Sequence, residues 1–142
     1  MEQRSRNHLN QLVPVLVMAG ISAAAWAAWL GWDQHRDVHA DGSTTGPYEA
    51  WQVLGLVVTL LAPAVWAASR GHRAATVFGT TAGLTVAAYV DWSDDSSGLF
   101  AVGVALLMLG SLAATATVTA VITAMRRGGP RLGGPGGLSA HR

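Results

Sequence analysis

Four long apolar segments dominate this sequence, and none of them contains Asp, Glu, Arg or His. A helix needs about 20 mostly apolar residues to cross the ~30 Å hydrocarbon core of a bilayer. The four segments meet that requirement, and together they leave too little polar surface for a water-soluble fold. The sequence therefore predicts an all-α polytopic membrane protein, a bundle of four transmembrane helices with spans at about 12–32, 51–69, 74–90 and 98–125.

Composition and patterning support helices that remain in the membrane. Charged residues make up 12% of the chain, against about 25% in an average soluble domain. Stretches such as 53–61 and 99–109 lack the alternation of barrel strands. A cleaved signal peptide is the alternative for the first segment, since Arg4 and Arg6 precede it and Ala25-Trp26-Ala27 resembles a cleavage site. Because the segment is longer than a signal-peptide core, we expect it to stay as the first span.

The charged residues separate by sign between the connecting segments. The N-terminus, the 70–73 loop and the tail after Met125 contain eight arginines and one glutamate, whereas the other two loops contain seven acidic residues and Arg36. Orientation follows the arginine bias of short loops, so we expect the N- and C-termini to be cytoplasmic. All nine basic residues are arginine, and Ala and Gly are abundant. This composition is typical of a GC-rich bacterial genome and predicts a multi-pass protein of the bacterial inner (plasma) membrane.

The chain divides into a transmembrane domain, 1–125, and a tail, 126–142. The tail is basic and rich in Gly, with Pro130 and Pro135 and almost no apolar side chains. This composition predicts a disordered cytoplasmic segment that lies against anionic lipid headgroups. It is too short and too sparsely charged to indicate nucleic-acid binding.

Several residues within or beside the spans predict local structure. Gly46 and Pro47 are typical of a helix cap and first helical position, so they predict the start of the second helix. Pro63 lies inside that helix and predicts a kink, because its missing N–H leaves a carbonyl without its usual donor. Gly79 and Gly83 form a GxxxG pair that predicts close helix packing, within the chain or between copies. A hydroxyl stripe predicts further packing or, alternatively, a polar pathway: Thr115, Thr119 and Thr123.

The first outer loop contains a candidate site for a divalent metal. His35 and His39 are four residues apart, so a helical turn would place both imidazoles on one face, and Asp37 or Asp41 would supply an oxygen ligand. The surrounding loop composition and the ordinary occurrence of surface histidines beside acids favour a solvated loop instead.

The absence of chemically reactive groups excludes several functional classes. The chain has no cysteine, which excludes disulfide and thiolate chemistry. Ionisable residues within spans mark proton relays and coupled transporters, and this sequence has none. Four-span multidrug exporters have a similar size but depend on a glutamate in their first span, and b-type cytochromes need histidines inside their helices. We therefore predict no catalytic residue and no cofactor.

Two short stretches carry a resemblance to a known group of proteins. Gly31-Trp32-Asp33 and the later run from Gly46 to Val53 resemble small four-span membrane proteins of high-GC actinobacteria. The resemblance covers the first outer loop, the start of the second helix and the overall topology. It implies an architecture and adds no functional residue.

These observations predict an accessory or scaffold protein rather than an enzyme. Its partners would be the lipid bilayer and, through its small-residue faces and outer loop, another membrane protein or a second copy. An uncoupled channel or small-molecule permease is the first alternative, suggested by the threonine stripe and Pro63. A divalent-metal-binding membrane protein that uses the first outer loop is the second.

Overall fold

The computed structural model describes residues 2–33, 40–42, 48–95 and 98–128, and within these ranges it contains helices and no strand. The described residues form four α-helices: α1 (Glu2–Trp29), α2 (Ala50–Ser69), α3 (Thr80–Trp92) and α4 (Phe100–Arg127). A π-helical turn, Ala75–Gly79, leads directly into α3. In the part of the chain that the structure describes, three helical segments are long and apolar enough to cross a membrane, namely Leu9–Trp29, Ala50–Ser69 and Phe100–Arg127.

The ends of α2 follow from local sequence signals. Glu49 is its N-cap, and the Glu49 N–H donates to Gln52 Oε1 at 2.6 Å, which is half of a capping box. At the other end, Gly71 has a φ of +89°. The Gly71 and His72 N–H groups donate to Ala68 O and Ala67 O at 3.1 and 2.9 Å, the bonds of a Schellman motif.

Helix bounds differ from the sequence-based ones at several places. The first helix begins at Glu2 and ends at Trp29, earlier at both ends than 12–32. The second begins at Ala50 rather than at Pro47, and Gly46 and Pro47 lie outside the described residues. The fourth continues through Arg126 and Arg127, which were expected in the disordered tail, because backbone hydrogen bonding persists to Gly128 N–H. Residues 129–142 lie outside the described residues.

Polar side chains lie inside the bundle, and large apolar side chains lie on its outside. Ser22 and Thr76 are fully buried, beside larger buried residues such as Trp26 and Leu30. The face of α2 that points away from the bundle carries exposed large apolar residues: Val53, Leu54, Val57, Val58, Leu61 and Val65. An apolar exterior around an interior that includes polar side chains is the arrangement expected when lipid is the solvent.

α1 and α3 are the closest pair and run in the same direction. A methyl group on Gly79 would lie 2.6 Å from Val15 O, and one on Gly83 would collide with the Ala19 backbone. Further along, Trp26 contacts Asp91. Residues that come later in α1 therefore contact residues that come later in the π turn and α3, so the two helices run parallel.

Charged residues collect at the two ends of the bundle. Asp33, Glu49 and Asp91 lie at the end that also holds Trp26 and Tyr48, which we call the aromatic end. The C-termini of α2 and α4 lie at the opposite end and carry Arg70, Arg126 and Arg127; we call this the arginine end. There the Arg70 guanidinium lies 5.4 Å from the centre of the Trp66 ring.

Candidate functional site

Four side chains form a polar cluster at the aromatic end: Trp26, Tyr48, Asp91 and Trp92. The Tyr48 hydroxyl donates to Asp91 Oδ2 and accepts a bond of 3.0 Å from Trp92 Nε1. Trp26 Nε1 donates to the same carboxylate oxygen at 3.2 Å. The cluster therefore joins α1, the residues before α2, and α3 through one carboxylate.

The three rings of this cluster pack against one another. Trp26 meets Tyr48 and Trp92 edge to face, with ring centres 6.0 and 5.6 Å apart, and Tyr48 lies 6.4 Å from Trp92. Trp26 is only 4% exposed. The Trp92 ring also rests on Gly103, where an added methyl group would come within 3.1 Å of it. All four helices thus meet at this cluster.

The environment of Tyr48 keeps its hydroxyl protonated. Burial raises the pKa of Tyr48 above its ordinary value, and the hydrogen bond to Asp91 raises it further. Both effects disfavour the phenolate, the first by desolvation and the second because the donated proton stabilises the neutral form beside a carboxylate. Tyr48 therefore acts as a hydrogen-bond donor and not as a base.

A second polar network lies beside the first. Gln52 is 1% exposed, and its Nε2 donates to Asp33 Oδ2 at 3.0 Å while its Oε1 accepts from the Glu49 backbone. A buried amide needs partners on both its nitrogen and its oxygen, and Gln52 has both. This network fixes the residues after α1 to the first turn of α2.

A cavity of about 570 Å³ lies directly below the aromatic cluster, between α2 and α4. Leu56, Leu60 and Ala64 line it from α2, and Leu84 from α3. Trp26, Tyr48 and Trp92 close its upper end. The α4 wall contains both small and large residues: Leu106, Leu107, Gly110, Ser111, Ala114 and Thr115.

The hydroxyl groups around this cavity differ in how they are satisfied. Ser111 Oγ and Thr115 Oγ1 donate to the carbonyls of Met108 and Ser111, at 3.1 and 2.7 Å. In contrast, Thr80, which lines the cavity, has a buried hydroxyl with no hydrogen-bond partner among the described residues, and so do Thr81 and Thr85, which do not line it. Because the α4 hydroxyls are used by their own helix, the cavity surface is essentially hydrocarbon.

The predicted threonine stripe faces the inside of the bundle. Thr115 and Thr119 are buried, and the hydroxyls of Thr119 and Thr123 donate to the carbonyls four residues earlier, each at 2.8 Å. The predicted GxxxG pair, Gly79 and Gly83, lies against α1 of the same chain. α2 continues through Pro63 to Ser69.

The predicted metal ligands do not form a described site. His35, Asp37 and His39 lie outside the described residues, and Asp41 is exposed. Among the residues that the structure does describe, no three His, Cys, Asp or Glu side chains come together to hold a metal ion.

Neither the aromatic cluster nor the cavity was predicted from the sequence. Asp91 counts there among the acidic residues of the loops, and no local pattern links it to Tyr48 or Trp92. The available signal was an acid next to a tryptophan at the end of an apolar segment, because the N–H of a buried tryptophan usually finds a hydrogen-bond partner.

Comparisons of the chain with protein-family models, with curated proteins and with solved structures found no match.

Proposed function

We propose that the chain is an integral protein of the bacterial plasma membrane that crosses the bilayer four times, with both termini in the cytoplasm. The parallel register of α1 and α3 supports the fourth crossing, because a helix that runs beside a membrane span in the same direction crosses the same layer. The π turn and α3 contain 5 and 13 residues. At ~1.5 Å per residue they extend about 27 Å, close to the ~30 Å hydrocarbon core.

The charge at the two ends supports the orientation. The arginine end carries Arg70, Arg73, Arg126 and Arg127 and no acidic residue within 66–74 or 120–128. Short loops rich in arginine stay in the cytoplasm, and anionic lipid headgroups attract them there. Trp66 under Arg70 is suited to the interface on that side.

Within the membrane, we propose an accessory role in which α4 associates with a transmembrane helix of another protein. The observation that carries this proposal is the exposure of α4: of its 28 residues only Thr115 and Thr119 are buried. A helix with so few buried residues leaves one face exposed along its whole length.

The composition of that face favours protein over lipid as its neighbour. The half of α4 nearer the arginine end exposes small side chains at helical spacing, in contrast to the large residues that α2 exposes: Ala113, Ala116, Thr117, Ala120 and Ala124. Small residues let a second helix approach closely, and close packing drives helix association in lipid. We call these five residues the α4 small face.

Site-directed photocrosslinking tests this role, and the absence of native cysteine makes each probe position unique. A benzophenone maleimide on Ala120→Cys, within the α4 small face, is expected to capture a discrete protein partner in native membranes. The matched control is Val58→Cys on the exposed face of α2, which is expected to capture lipid.

Mass spectrometry of the adducts identifies the neighbouring protein. A second copy of this chain in the adduct would also support association. The same diffuse background at both positions, with no protein adduct specific to Ala120→Cys, would contradict the accessory role.

A further inference from the structure

The cavity between α2 and α4 opens sideways, toward the space that the bilayer would occupy. Its rim is formed by lining residues that are also exposed on the outside of the bundle: Val57 and Leu61 on α2, and Leu106 and Gly110 on α4. A molecule dissolved in the membrane therefore reaches the cavity without passing through water.

The length of the cavity matches one leaflet. On α2 the lining residues extend from Val53 to Ala64. Eleven residues of helix rise about 17 Å, close to half of the ~30 Å hydrocarbon core. Because the cavity begins at the aromatic end, it has the position and length of one hydrocarbon chain in the leaflet on that side.

The polar end of the cavity favours a positive charge. The Asp91 carboxylate accepts hydrogen bonds from Trp26 and Tyr48, which line the cavity, and Asp33 and Glu49 lie at the same end without lining it. The described residues at that end, 29–33, 40–42, 48–52, 91–95 and 98–103, include no arginine. Trp26, Tyr48 and Trp92 line this end of the cavity, and aromatic rings attract ammonium groups. A headgroup with only negative charge would be repelled by the same residues.

We propose that this cavity binds one acyl chain of a zwitterionic phospholipid, whose ammonium group lies among the carboxylates and rings of the aromatic end. Lipid tails are as apolar as the cavity wall, so burial of the tail supplies little net attraction in a membrane. The tail therefore contributes fit, and the headgroup contributes selectivity. The α4 residues that line this site are different from those of the small face, and the site does not depend on association with a partner.

Gly110 provides a way to fill the cavity without disturbing the fold. A β-carbon added at Gly110 would meet nothing within 4 Å, and leucine also favours helix more than glycine does. In Gly110→Leu the new side chain occupies the space proposed for the lipid. Gly20→Leu is the matched control, because Gly20 also has open space around it and lies on α1, away from the cavity.

The experiment uses the full chain in vesicles of equal parts phosphatidylethanolamine and phosphatidylglycerol with identical acyl chains. After mild detergent extraction, native mass spectrometry counts the lipid that stays bound. Wild type and Gly20→Leu are expected to retain one lipid, enriched in phosphatidylethanolamine by up to about fivefold, the ratio that a partly exposed ion pair supports. Gly110→Leu is expected to lose it.

Equal retention by Gly110→Leu and Gly20→Leu, no retained lipid on the wild type, or a preference for phosphatidylglycerol would each overturn the proposal. Ala114→Leu, on the same wall of the cavity, repeats the test if Gly110→Leu elutes as unfolded protein. Crosslinking through Ala120→Cys is unaffected by any of these results, so the lipid site and the accessory role can fail separately.

Discussion

Tyr48 connects residues that are far apart in the chain. Its hydroxyl donates to Asp91 and accepts from Trp92, which are 43 and 44 positions away, and its ring packs on Trp26. An aromatic residue at the end of an apolar segment indicates a membrane boundary, and this much could be predicted from sequence. Its partners could not, because no local pattern encodes a contact between separate helices.

The stability of the fold should fall in alkali because of Tyr48. An unfolded tyrosine ionises near pH 10, whereas the raised pKa of Tyr48 keeps its proton on in the folded protein. The contribution of the neutral hydroxyl is therefore complete below about pH 10 and is lost as the pH rises above it. Thermal unfolding from about pH 8 to about pH 11 should show wild type more stable than Tyr48→Phe at the start, with the difference shrinking above pH 10. Parallel curves would contradict this account of Tyr48.

The unpartnered hydroxyl of Thr81 should make the native protein less stable than its valine variant. A buried donor without an acceptor costs about 1–3 kcal/mol, and valine has the same shape without that donor. Thr81→Val is therefore expected to raise the free energy of unfolding by about 1 kcal/mol. Thr119→Val is the control, since the Thr119 hydroxyl already donates to Thr115 O. Denaturation in detergent measures both, and an equal change in the two variants would argue against the explanation.

At the level of helices, local signals and tertiary contacts explain different parts of the fold. α2 matches the predicted apolar span 51–69 to within one residue, but it begins at Ala50 and not at the predicted Pro47. Glu49, Gln52 and Gly71 fix its ends locally. The π turn before α3 was not predicted. It ends at Gly79, where the backbone lies against Val15, and such packing between distant helices leaves no periodic trace in the sequence.

The contact between α1 and α3 should be the most sensitive part of the bundle to added volume. Gly83→Ala places a methyl group against the Ala19 backbone, which cannot rotate away. Overpacking of this kind costs about 1–3 kcal/mol or more. Gly20→Ala introduces the same group into open space and is expected to be neutral or slightly stabilising. Melting temperatures of the two purified variants compare the sites, and equal values would show that α3 does not lie where the structure places it.

At the scale of the whole molecule, the net charge of +1 conceals a strong asymmetry. Among the described residues, Asp33, Glu49 and Asp91 lie at the aromatic end, and Arg70, Arg126 and Arg127 lie at the arginine end. This separation could be predicted from the sequence, because successive connecting segments lie at alternate ends of the bundle and their charges are visible in the sequence. The cavity and the α4 small face depend on how the helices are arranged sideways, which charge and hydropathy do not determine.

The central claim, four crossings with both ends cytoplasmic, is tested most directly by accessibility of single cysteines. Asp41→Cys, His72→Cys, Asp94→Cys and Gly128→Cys each place one thiol in a different connecting segment of a chain that has no other. A membrane-impermeant maleimide added to intact cells should label Asp41→Cys and Asp94→Cys, and it should label His72→Cys and Gly128→Cys only after permeabilisation. Labelling of His72→Cys and Asp94→Cys from the same side would show that α3 does not cross, and would contradict the account.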